Sequence, residues 1–465
     1  MQYKLRPYQE ECVQKGIEVL TSKKPCMSII VAPTASGKSL IISDLAKRLN
    51  SFIVVLQPNK ELLEQNYAKY TSYGLEASIY SASLKRKEID HQVIFATIGS
   101  IIKDAKSLRE KGLKYILVDE AHRGSKNGSQ LDTFIKQTGV TNVLGLTATP
   151  VVLSNSLQGS VLKMMNRDYT NLFKSIAHVV TIKEMVDNKF WTPIEYRKVR
   201  LDLSKLRLNT SGTEFTKESI IKNYIDNNLE KVIIDEIEKL EKENIKSILV
   251  FCPSVIEARD LSSKVKNSKV VWGDMSSNER DETLKQFNNQ EFNVLINCEM
   301  LQIGYDNPNL EAIIMATPTN SVALYYQILG RVLRIKEGKE KAVVLDLVGN
   351  TDRFGRVEDF SFEKQDYSGG WAMFSDQKVL TNFILGGKIF PTRDSLKKSI
   401  EEVYEGNGIK INFGKYKGNT VEGVLKKDSK YLIWLINNQE FNWGKNITVK
   451  NEIYKLLNLE LPISN

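Results

Sequence analysis

Short apolar runs alternate with longer polar segments of helical pattern through the first 350 residues of this chain. In the first half, the runs that read as buried strands are 28–32, 52–57, 93–97, 115–118 and 143–146. Helical patterns such as 39–49 and 60–73 lie between them. Parallel strands need connections of about helix length, so this alternation predicts an α/β fold whose parallel sheet is covered on both faces.

The alternation returns after about residue 245, and its strand patterns are 247–251, 270–272, 294–296, 312–315 and 342–345. We therefore expect two α/β lobes, 1–190 and 191–350, with one long charged helix over Glu218–Glu243 opening the second. Past residue 350 the alternation stops. This predicts an accessory or linker region at 351–408 and a small C-terminal module at 409–465, together an α+β region.

The composition is that of a globular protein. The 465 residues are 42% hydrophobic, which is enough for several packed cores. No apolar run reaches the roughly 18 residues that a membrane span requires, and the N-terminus has no apolar stretch of the signal-peptide kind. The cysteines, Cys12, Cys26, Cys252 and Cys298, form no Cys-x-x-Cys pair. We expect a cytoplasmic protein (in the host cytoplasm if phage-encoded) with no membrane partner.

The octet Ala32–Ser39 reads Ala-Pro-Thr-Ala-Ser-Gly-Lys-Ser and joins a strand pattern to a helix pattern. A loop in this place binds phosphates through backbone N–H groups. Gly37 permits close approach, Lys38 reaches the β and γ phosphates, and Ser39 binds Mg²⁺. The other predicted phosphate-side residues are Pro33, Thr34 and Ser36. A chance Gly-Lys-Ser is the alternative, and the preceding strand argues against it. ATP and Mg²⁺ are the expected cofactors.

A second apolar strand pattern, Tyr115–Val118, ends in two carboxylates. Asp119 would hold magnesium, and Glu120 would orient and deprotonate an attacking water. Acidic residues at a strand end are otherwise often caps, so this pair gains weight only beside the phosphate loop.

Arg331 and Arg334 are three residues apart, which puts them on one face of a predicted helix that begins near Ala323. They belong to the second lobe, so they can reach the γ-phosphate only if the lobes close. An arginine supplied in this way stabilises transition-state charge. The alternative is a solvated basic pair.

These motifs, in this order, resemble those of superfamily 2 helicases and translocases over about residues 3–360. The similarity is to the DNA-directed branch that includes RecG and XPB, and within it to phage branch-migration helicases of the UvsW type. The resemblance implies two tandem RecA-like lobes. It also implies an ATP-dependent DNA motor of 3′-to-5′ polarity that remodels forked or branched DNA in replication, recombination and repair.

On the nucleotide side, Leu5–Gln9 resembles the family's adenine-side element, in which Gln9 reads the base with Arg6 nearby. Leu301–Asp306 resembles motif V, with Gly304 and Asp306 at the nucleotide cleft. The remaining matches are motif II, in its DEAH form, at 119–122, motif III at 146–150 and motif VI at 327–334. They imply a catalytic role for Gln327 and roles in coupling hydrolysis to movement for His122, Thr147 and Thr149.

On the nucleic-acid side, segments 57–60, 96–97 and 251–254 resemble motifs Ia, Ib and IV, which contact the sugar–phosphate backbone. The residues implied to do so are Pro58, Asn59, Lys60, Thr97, Ser254 and Cys298. The chain departs from the family pattern at three positions. Cys298 occupies a position where threonine is common, Ala35 one where glycine is frequent, and Gln302 one where the residue is often acidic.

The C-terminal signals are weaker. Trp371 follows Ser368-Gly-Gly, and it could stack on the last base pair of a duplex or pack into a subdomain. The aromatic and lysine-rich segments 413–418, 431–434 and 441–443 could contact DNA or form the core of a small domain. Glu337-Gly-Lys339 fits a nuclease-like Glu-x-Lys pattern, but no suitable acidic strand end precedes it, so we interpret it as a charged turn.

The expected partner is DNA that is forked, branched or single-stranded, and a net charge of +9 mildly favours such a polyanion. We expect a monomer that meets replication or recombination proteins through its C-terminal module. Two other functions stay open. One is an RNA helicase, against which the Thr-Ala-Thr wording of 147–149 argues. The other is an ATP-gated clamp that binds DNA without moving.

Overall fold

The computed structural model describes residues 4–24, 27–156, 159–168, 170–210, 214–298, 307–364, 371–381, 384–385, 388–389, 408–437 and 446–457. The chain divides into two compact units, Met1–Ser361 and Phe362–Asn465. Both sheets described next lie in the first unit. No described helix combines the length and the apolar character that crossing a membrane requires.

The first lobe is built on an eight-stranded sheet of order β10-β1-β7-β6-β2-β5-β3-β4, in which every pairing except β3 with β4 is parallel. Its strands are β1 (Ser28–Val31), β2 (Ile53–Gln57), β3 (Ser78–Ser81), β4 (Arg86–Lys87), β5 (Val93–Thr97), β6 (Tyr115–Val118), β7 (Val143–Thr147) and β10 (Ser175–Val179). The pair β8 (Val151–Ser156) and β9 (Gly159–Met164) forms a separate antiparallel hairpin.

Helices connect these strands: α1 (Pro7–Leu20), α2 (Lys38–Leu49), α3 (Lys60–Thr71), α4 (Ile98–Ile101), α5 (Ala105–Glu110), α6 (Gln130–Thr138) and α7 (Ile182–Asp187). Several begin where a polar side chain accepts a hydrogen bond from the first helical turn, as Asn59 does for α3 and Ser129 for α6. The central strands β1, β2, β6 and β7 are buried along their whole length because helices cover both faces.

The second lobe is a six-stranded parallel sheet of order β11-β16-β15-β12-β14-β13. Its strands are β11 (Ile194–Lys198), β12 (Ile248–Phe251), β13 (Ser268–Trp272), β14 (Val294–Cys298), β15 (Ala312–Met315) and β16 (Ala342–Asp346). Its helices are α8 (Lys217–Asp226), α9 (Leu229–Lys242), α10 (Val255–Lys264), α11 (Ser277–Asn288), α12 (Val322–Leu329) and α13 (Asn350–Phe354). The predicted fold class, two tandem RecA-like parallel-sheet lobes, is confirmed.

The single helix predicted over Glu218–Glu243 is wrong. The chain forms α8 and α9 instead, because Asn228 between them has a φ of 47°, in the left-handed region that breaks a helix. Asn227 stabilises the break, since its side-chain amide donates to the carbonyls of Asp202 and Asn223 at 2.8 and 3.1 Å. The second sheet also begins earlier in the chain than predicted, at β11. This edge strand contains polar residues, so it lacks the continuous apolar run that marked the predicted strands.

A three-stranded sheet is formed by β17 (Phe360–Lys364), which begins at the end of the first unit, with β18 (Trp371–Ser375) and β19 (Lys378–Val379). The second unit also contains a two-stranded hairpin of Ile384–Leu385 with Lys388–Ile389. Helices Val421–Asn437 and Ile447–Leu456 follow. These helices pack around the core residues Ile411, Tyr416, Val421, Val424, Leu432, Leu435, Val449 and Ile453. We call the described residues 408–437 and 446–457 the C-terminal module.

Candidate active site

The phosphate loop lies between β1 and α2, at the carboxyl end of the first sheet. Ala35 and Gly37 have φ values of 58° and 75°, so the loop makes two left-handed turns before α2 starts at Lys38. A Cβ on Gly37 would lie 2.6 Å from Nε2 of Gln9, which restricts this position to glycine. Ala35 adopts the left-handed backbone that the family's usual glycine would adopt more easily.

The segment Leu5–Gln9 contacts this loop through hydrogen bonds. The side-chain amide of Gln9 donates to the carbonyl of Ser36 at 2.8 Å, and the hydroxyl of Tyr8 donates to the same oxygen at 2.9 Å. The other side-chain atom of Gln9, Oε1, accepts from the backbone N–H of Arg6 at 2.9 Å. Gln9 is only 3% exposed, so its polar atoms are engaged by the protein. Reading of the base by Gln9 and Arg6 stays a prediction.

The two carboxylates follow β6 directly. Asp119 accepts from the side-chain amide of Asn66 at 2.8 Å and from the backbone N–H of Glu120 at 2.9 Å. Glu120 has a φ of 47°, a strained value for a side chain of this size. Its carboxylate lies 3.6 Å from the Lys38 ammonium. The structure therefore brings the predicted lysine and the predicted base together.

The pKa values of these carboxylates are displaced in opposite directions. Burial, and then the negative charge of Glu120, raise the pKa of Asp119 above its usual range. Burial would also raise the pKa of Glu120, but the nearby cations Lys38 and Arg331 outweigh it and leave that pKa lowered. A lowered pKa keeps Glu120 ionised, as a base that accepts a proton from water must be.

His122 links the two lobes. Its Nδ1 lies 2.9 Å from Oγ1 of Thr147 and 3.4 Å from the Glu120 carboxylate. Its Nε2 lies 3.3 Å from the side-chain nitrogen of Gln327 in the second lobe. Because that amide can only donate, we assign the neutral Nδ1-protonated tautomer to His122. Burial lowers the pKa of His122 to about 4, so the ring stays neutral at physiological pH.

The predicted coupling residues are buried between these groups. The hydroxyl of Thr147, which contacts His122, also accepts from the backbone N–H of Thr149 at 3.0 Å. Thr149 is 1% exposed, and its hydroxyl has no hydrogen-bond partner among the described residues. The chain from Gln327 through His122 to Thr147 and Thr149 is thus continuous from one lobe to the other.

The helix predicted to carry the two arginines is shorter than expected, and this prediction is wrong. Helix α12 ends at Leu329, and Arg331 and Arg334 lie in the turn and loop that follow. Burial lowers the pKa of each guanidinium to about 10, and the charge of Glu120 opposes that shift for Arg331. Both arginines keep their charge at neutral pH.

Side chains and the inter-lobe linker replace the helical hydrogen bonds of this segment. Lys339 donates from Nζ to the carbonyls of Val332 and Arg334 at 2.7 and 3.0 Å. Thr192 donates its backbone N–H to Leu333 at 2.8 Å and its hydroxyl to Arg334 at 2.7 Å. These donors satisfy carbonyls that have no helical partner, and they hold the arginine segment in place as a turn and loop. Residues 336–339 form the predicted turn. The Lys339 ammonium, however, donates hydrogen bonds to carbonyls of the arginine segment.

A contact between the lobes closes the site from one side. The indole N–H of Trp191 donates to the carbonyl of Thr34 in the phosphate loop at 3.0 Å. Gly330, at the end of α12, packs against the Thr34 side chain so closely that a Cβ there would lie 2.5 Å from the Cβ of Thr34. The phosphate loop and the arginine segment are therefore in direct contact.

The phosphate loop, the two carboxylates and the arginine segment line one cavity of about 280 Å³. Its lining residues are Thr34, Ala35, Ser36, Gly37, Lys38, Ser39, Leu40, Leu62, Gln65, Lys69, Asp119, Glu120, Gln327, Gly330, Arg331 and Arg334. The predicted Pro33 is buried beneath the loop. Gly304 and Asp306 of the predicted motif V lie outside the described residues.

The site residues fit a magnesium ion. The Ser39 hydroxyl and the Asp119 carboxylate line the same cavity, and oxygen donors of this kind are the ligands that Mg²⁺ takes in phosphate sites. Burial and the neighbouring charge of Glu120 raise the pKa of Asp119, although the Lys38 ammonium acts in the opposite direction. A bound cation would remove the cost of holding two carboxylates side by side.

The predicted nucleic-acid residues lie at the carboxyl ends of strands. Asn59 and Ser254 each accept a hydrogen bond from the first turn of the next helix, at 3.0 and 3.1 Å. Lys60 lies 4.0 Å from Asp281 of the second lobe. Pro58, like Lys60 and Ser254, is partly exposed, and Thr97 lies on the strand that pairs with β2.

Cys298 and Trp371 differ from the other predicted contacts. Cys298 is 3% exposed within the core of the second lobe. A nucleic-acid strand bound at this edge of the sheet would therefore contact the backbone of Cys298 rather than its thiol. Trp371 is the first residue of β18 and is partly exposed. Segment 365–370 before it lies outside the described residues, as do Phe441 and Trp443.

Several residues of this site were not predicted from the sequence, among them Asn66, Trp191, Gly330 and Lys339. A glycine inside a predicted helix and a tryptophan at a predicted lobe boundary were available signals for Gly330 and Trp191. Asn66 and Lys339 carry no local signal, since each acts on a residue that only the fold brings near.

Two family models match the lobes, and one matches the module. Residues 2–152 match "Type III restriction enzyme, res subunit" and residues 228–336 match "Helicase conserved C-terminal domain". Residues 411–440 match "Exodeoxyribonuclease X-like C-terminal".

The chain is similar to the Saccharomyces cerevisiae protein "Putative ATP-dependent helicase IRC3", with 26% identity over 365 residues, which are 74% of this chain and 51% of that protein. It is similar to a 51.5 kDa protein of a Lactococcus phage, with 25% identity over 76% of this chain and 72% of that protein. The chain therefore spans about half the length of the yeast relative.

Among solved structures, the fold is similar to that of the ATP-dependent Type ISP restriction-modification enzyme LlaBIII bound to DNA. The TM-score is 0.55 at 17% identity, over 75% of this chain and 28% of that one. The two domain matches are those of an ATP-hydrolysing superfamily 2 helicase, and a helicase-named protein is among the relatives.

Proposed function

We propose that this chain is an ATP-dependent DNA translocase that moves 3′ to 5′ and remodels forked or branched DNA. The observation that carries the proposal is the shared cavity, which Lys38 and Glu120 of the first lobe line together with Arg331 and Arg334 of the second. A site built from two lobes can respond to its ligand by changing how the lobes meet, which is what a motor requires.

The residues divide the work of phosphoryl transfer. Lys38 and the N–H groups of the phosphate loop would bind the β and γ phosphates, displacing Lys38 from Glu120. Glu120 would accept the proton of the attacking water, and Arg331 and Arg334 would stabilise the charge of the transferring group. Ser39 and Asp119 would hold Mg²⁺, which neutralises phosphate charge when bound.

Coupling to movement would run through the buried hydrogen-bond chain. Gln327 contacts His122 across the lobes, and His122 contacts both Glu120 and Thr147. Loss of the γ-phosphate would release the arginines, and the Gln327 contact would loosen with them. Lobes 1–190 and 191–350 would then move as units, and each cycle would shift the grip on one strand.

The nucleic-acid grip would form at the carboxyl ends of the strands. Pro58, Asn59, Lys60 and Thr97 of the first lobe and Ser254 of the second lie in such positions, with Cys298 contributing backbone. Contacts to phosphates alone give little sequence preference and a strong dependence on salt. The sequence Thr-Ala-Thr at residues 147–149 supports DNA rather than RNA as the substrate. Regions 351–408 and 409–465 would adapt the motor to forks and junctions, with Trp371 as a wedge, and could meet replication or recombination proteins.

The test is the steady-state rate of ATP hydrolysis with five ligands: single-stranded DNA, plain duplex, forked duplex, four-way junction and single-stranded RNA. Lys38→Ala serves as the blank. We expect the largest stimulation with forks and junctions. Displacement of streptavidin from the 5′ but not the 3′ end of a biotinylated single strand would establish the polarity, because a 3′-to-5′ motor runs toward the 5′ end.

Other outcomes would replace the proposal. Greatest stimulation by RNA would identify an RNA helicase. Slow turnover with tight, ATP-dependent retention of DNA and no streptavidin displacement would identify a clamp.

A further inference from the structure

The C-terminal module exposes an aromatic side chain that its own core does not use. In helix Val421–Asn437, Leu432 and Leu435 are buried in the core, whereas Ile433 and Trp434 are 44% and 57% exposed. Tryptophan is usually well buried, since its large apolar surface is costly to leave in water. The exposed indole of Trp434 therefore calls for a role outside the core.

Trp434 is the outer member of a row of three aromatic rings. The ring centroids of Tyr416 and Tyr431 are 4.9 Å apart in an edge-to-face arrangement, and those of Tyr431 and Trp434 are 5.8 Å apart with a tilt of 32°. Tyr416 is buried in the core and Tyr431 is partly buried, so the row runs from the core to the surface. The inner rings support the outer one, which limits its freedom before any ligand arrives.

Asp428 fixes the geometry of this row. Its backbone breaks the helix with φ of −152° and ψ of 70°, and its carboxylate accepts from the backbone N–H of Tyr431 at 3.1 Å. The other carboxylate oxygen accepts from the Tyr416 hydroxyl at 2.8 Å and lies 3.1 Å from the Lys415 ammonium. The ion pair with Lys415 offsets the negative charge of Asp428 at this surface.

The surface around the rings is strongly basic. The described residues of the module contain eight lysines and three acidic residues, which accounts for a large part of the net charge of +9 of the whole chain. The exposed lysines on the segment that bears the rings are Lys415, Lys417, Lys426, Lys427 and Lys430. Lys430 lies one helical turn before Trp434, on the same face. Lys415 and Lys427 lie 4.8 and 5.7 Å from the Tyr416 ring centroid, at the other end of the row.

We propose that Trp434 and Tyr431 form a stacking platform for an unpaired base of single-stranded nucleic acid, whose phosphates the neighbouring lysines contact. Exposed aromatic faces inside a lysine cluster are the elements from which sequence-tolerant single-strand sites are built. The lysines around the rings favour an anionic ligand, and nucleic acid combines phosphates with flat bases that can stack on the indole. This site goes beyond the motor proposed above and requires neither ATP nor movement.

The experiment measures fluorescence anisotropy of 5′-fluorescein dT12 and U12 with the full chain in the absence of nucleotide, across a series of salt concentrations. Trp434→Ala should weaken binding at least about fivefold, since stacking contributes about 1–3 kcal/mol per base. Trp434→Phe keeps a π-face and should retain most of the affinity, whereas Trp434→Leu keeps only apolar character and should behave as Trp434→Ala. Ile433→Ala, at the adjacent exposed position, is the matched control and should bind as the parent chain does.

The lysines have their own readout. Lys430→Ala should reduce the slope of log affinity against log salt by about 0.7, the value for one phosphate contact of a single strand. Equal weakening with dT12 and U12 would identify a site for either nucleic acid, and weakening with one alone would name its ligand. Unchanged binding by Trp434→Ala, or full affinity in Trp434→Leu, would overturn the proposal. Because this assay uses no ATP, failure of DNA to stimulate hydrolysis would count against the motor and leave this site standing.

Discussion

The ammonium of Lys38 lies 3.6 Å from the carboxylate of Glu120, so the structure pairs the proposed phosphate-binding cation with the proposed catalytic base. The two side chains are only 13% and 15% exposed, which strengthens their attraction relative to a surface pair. A nucleotide that draws Lys38 to its phosphates would leave Glu120 beside the water that it must activate.

Replacing Lys38 with Ala should lower the rate of ATP hydrolysis at least about 10³-fold, because an electrostatic contact to the transferring phosphoryl group is worth several kcal/mol. The measurement is phosphate release with saturating DNA. Lys47→Ala is the matched control, since Lys47 belongs to the same helix but does not line the cavity. Turnover within about twofold of the parent chain in Lys38→Ala would remove the mechanism.

Gly330→Ala should disturb the contact between the lobes, because the new methyl group would lie 2.5 Å from the Thr34 side chain. Overpacking of this kind costs about 1–3 kcal/mol. We expect hydrolysis to fall at least about tenfold, since the phosphate loop and the arginine segment can no longer approach each other. Gly273→Ala provides the control, because a Cβ there meets no atom within 4 Å. Equal activity of the two variants would show that this contact is not needed.

Lys339→Met should reduce kcat about tenfold and change the KM for ATP little, because Lys339 holds the carbonyls of Val332 and Arg334 and so positions the arginine segment. A double-mutant cycle with Arg334→Ala separates positioning from general destabilisation. If Lys339 acts through Arg334, the double variant will be about as slow as Arg334→Ala alone.

Lys336→Met, on the same turn, is the control for Lys339. Strict additivity of Lys339→Met and Arg334→Ala would argue that Lys339 serves only stability. Burial lowers the pKa of Lys339 to about 8, so its ammonium is present at neutral pH.

His122 should make stability depend on pH. Burial lowers its pKa to about 4, below the ordinary value of 6.5, so the unfolded chain binds this proton more readily between pH 4 and 6.5. Its contribution to the free energy of unfolding therefore rises with pH across this window, by at most about 1.4 kcal/mol per pH unit. Denaturant unfolding at several pH values should give a shallower rise for His122→Asn than for the parent chain.

The raised pKa of Asp119 acts in the opposite direction in part of the same window. Its buried carboxyl group favours the protonated folded form, so its contribution to stability falls as pH rises above about 4. Asp119→Asn should therefore show a steeper rise of stability with pH than the parent chain. Parallel pH profiles for the parent, His122→Asn and Asp119→Asn would contradict both assignments.

The local pattern of the sequence was sufficient for much of the fold and for the first half of the site. Strands such as Tyr115–Val118 and Val93–Thr97 have the predicted bounds. A buried parallel strand is largely apolar along its length, so its own residues are enough to predict it. Lys38, Ser39, Asp119 and Glu120 lie at one sheet edge, as predicted, because the phosphate loop and the carboxylate pair each come after such a strand.

The tertiary structure decided what depends on residues far apart in the chain. Periodicity put Arg331 and Arg334 on a helix, but the Lys339 and Thr192 donors that occupy the intervening carbonyls come from other segments. The partner of Asp119 is Asn66, 53 residues away, and Gln9 is held by the Ser36 carbonyl, 27 residues away. A side-chain hydrogen bond between residues far apart in the chain produces no periodic pattern from which it could be predicted. The chain alone therefore determined which chemical groups are present and on which strands they end, whereas only the packing of the lobes determined how those groups are oriented and restrained.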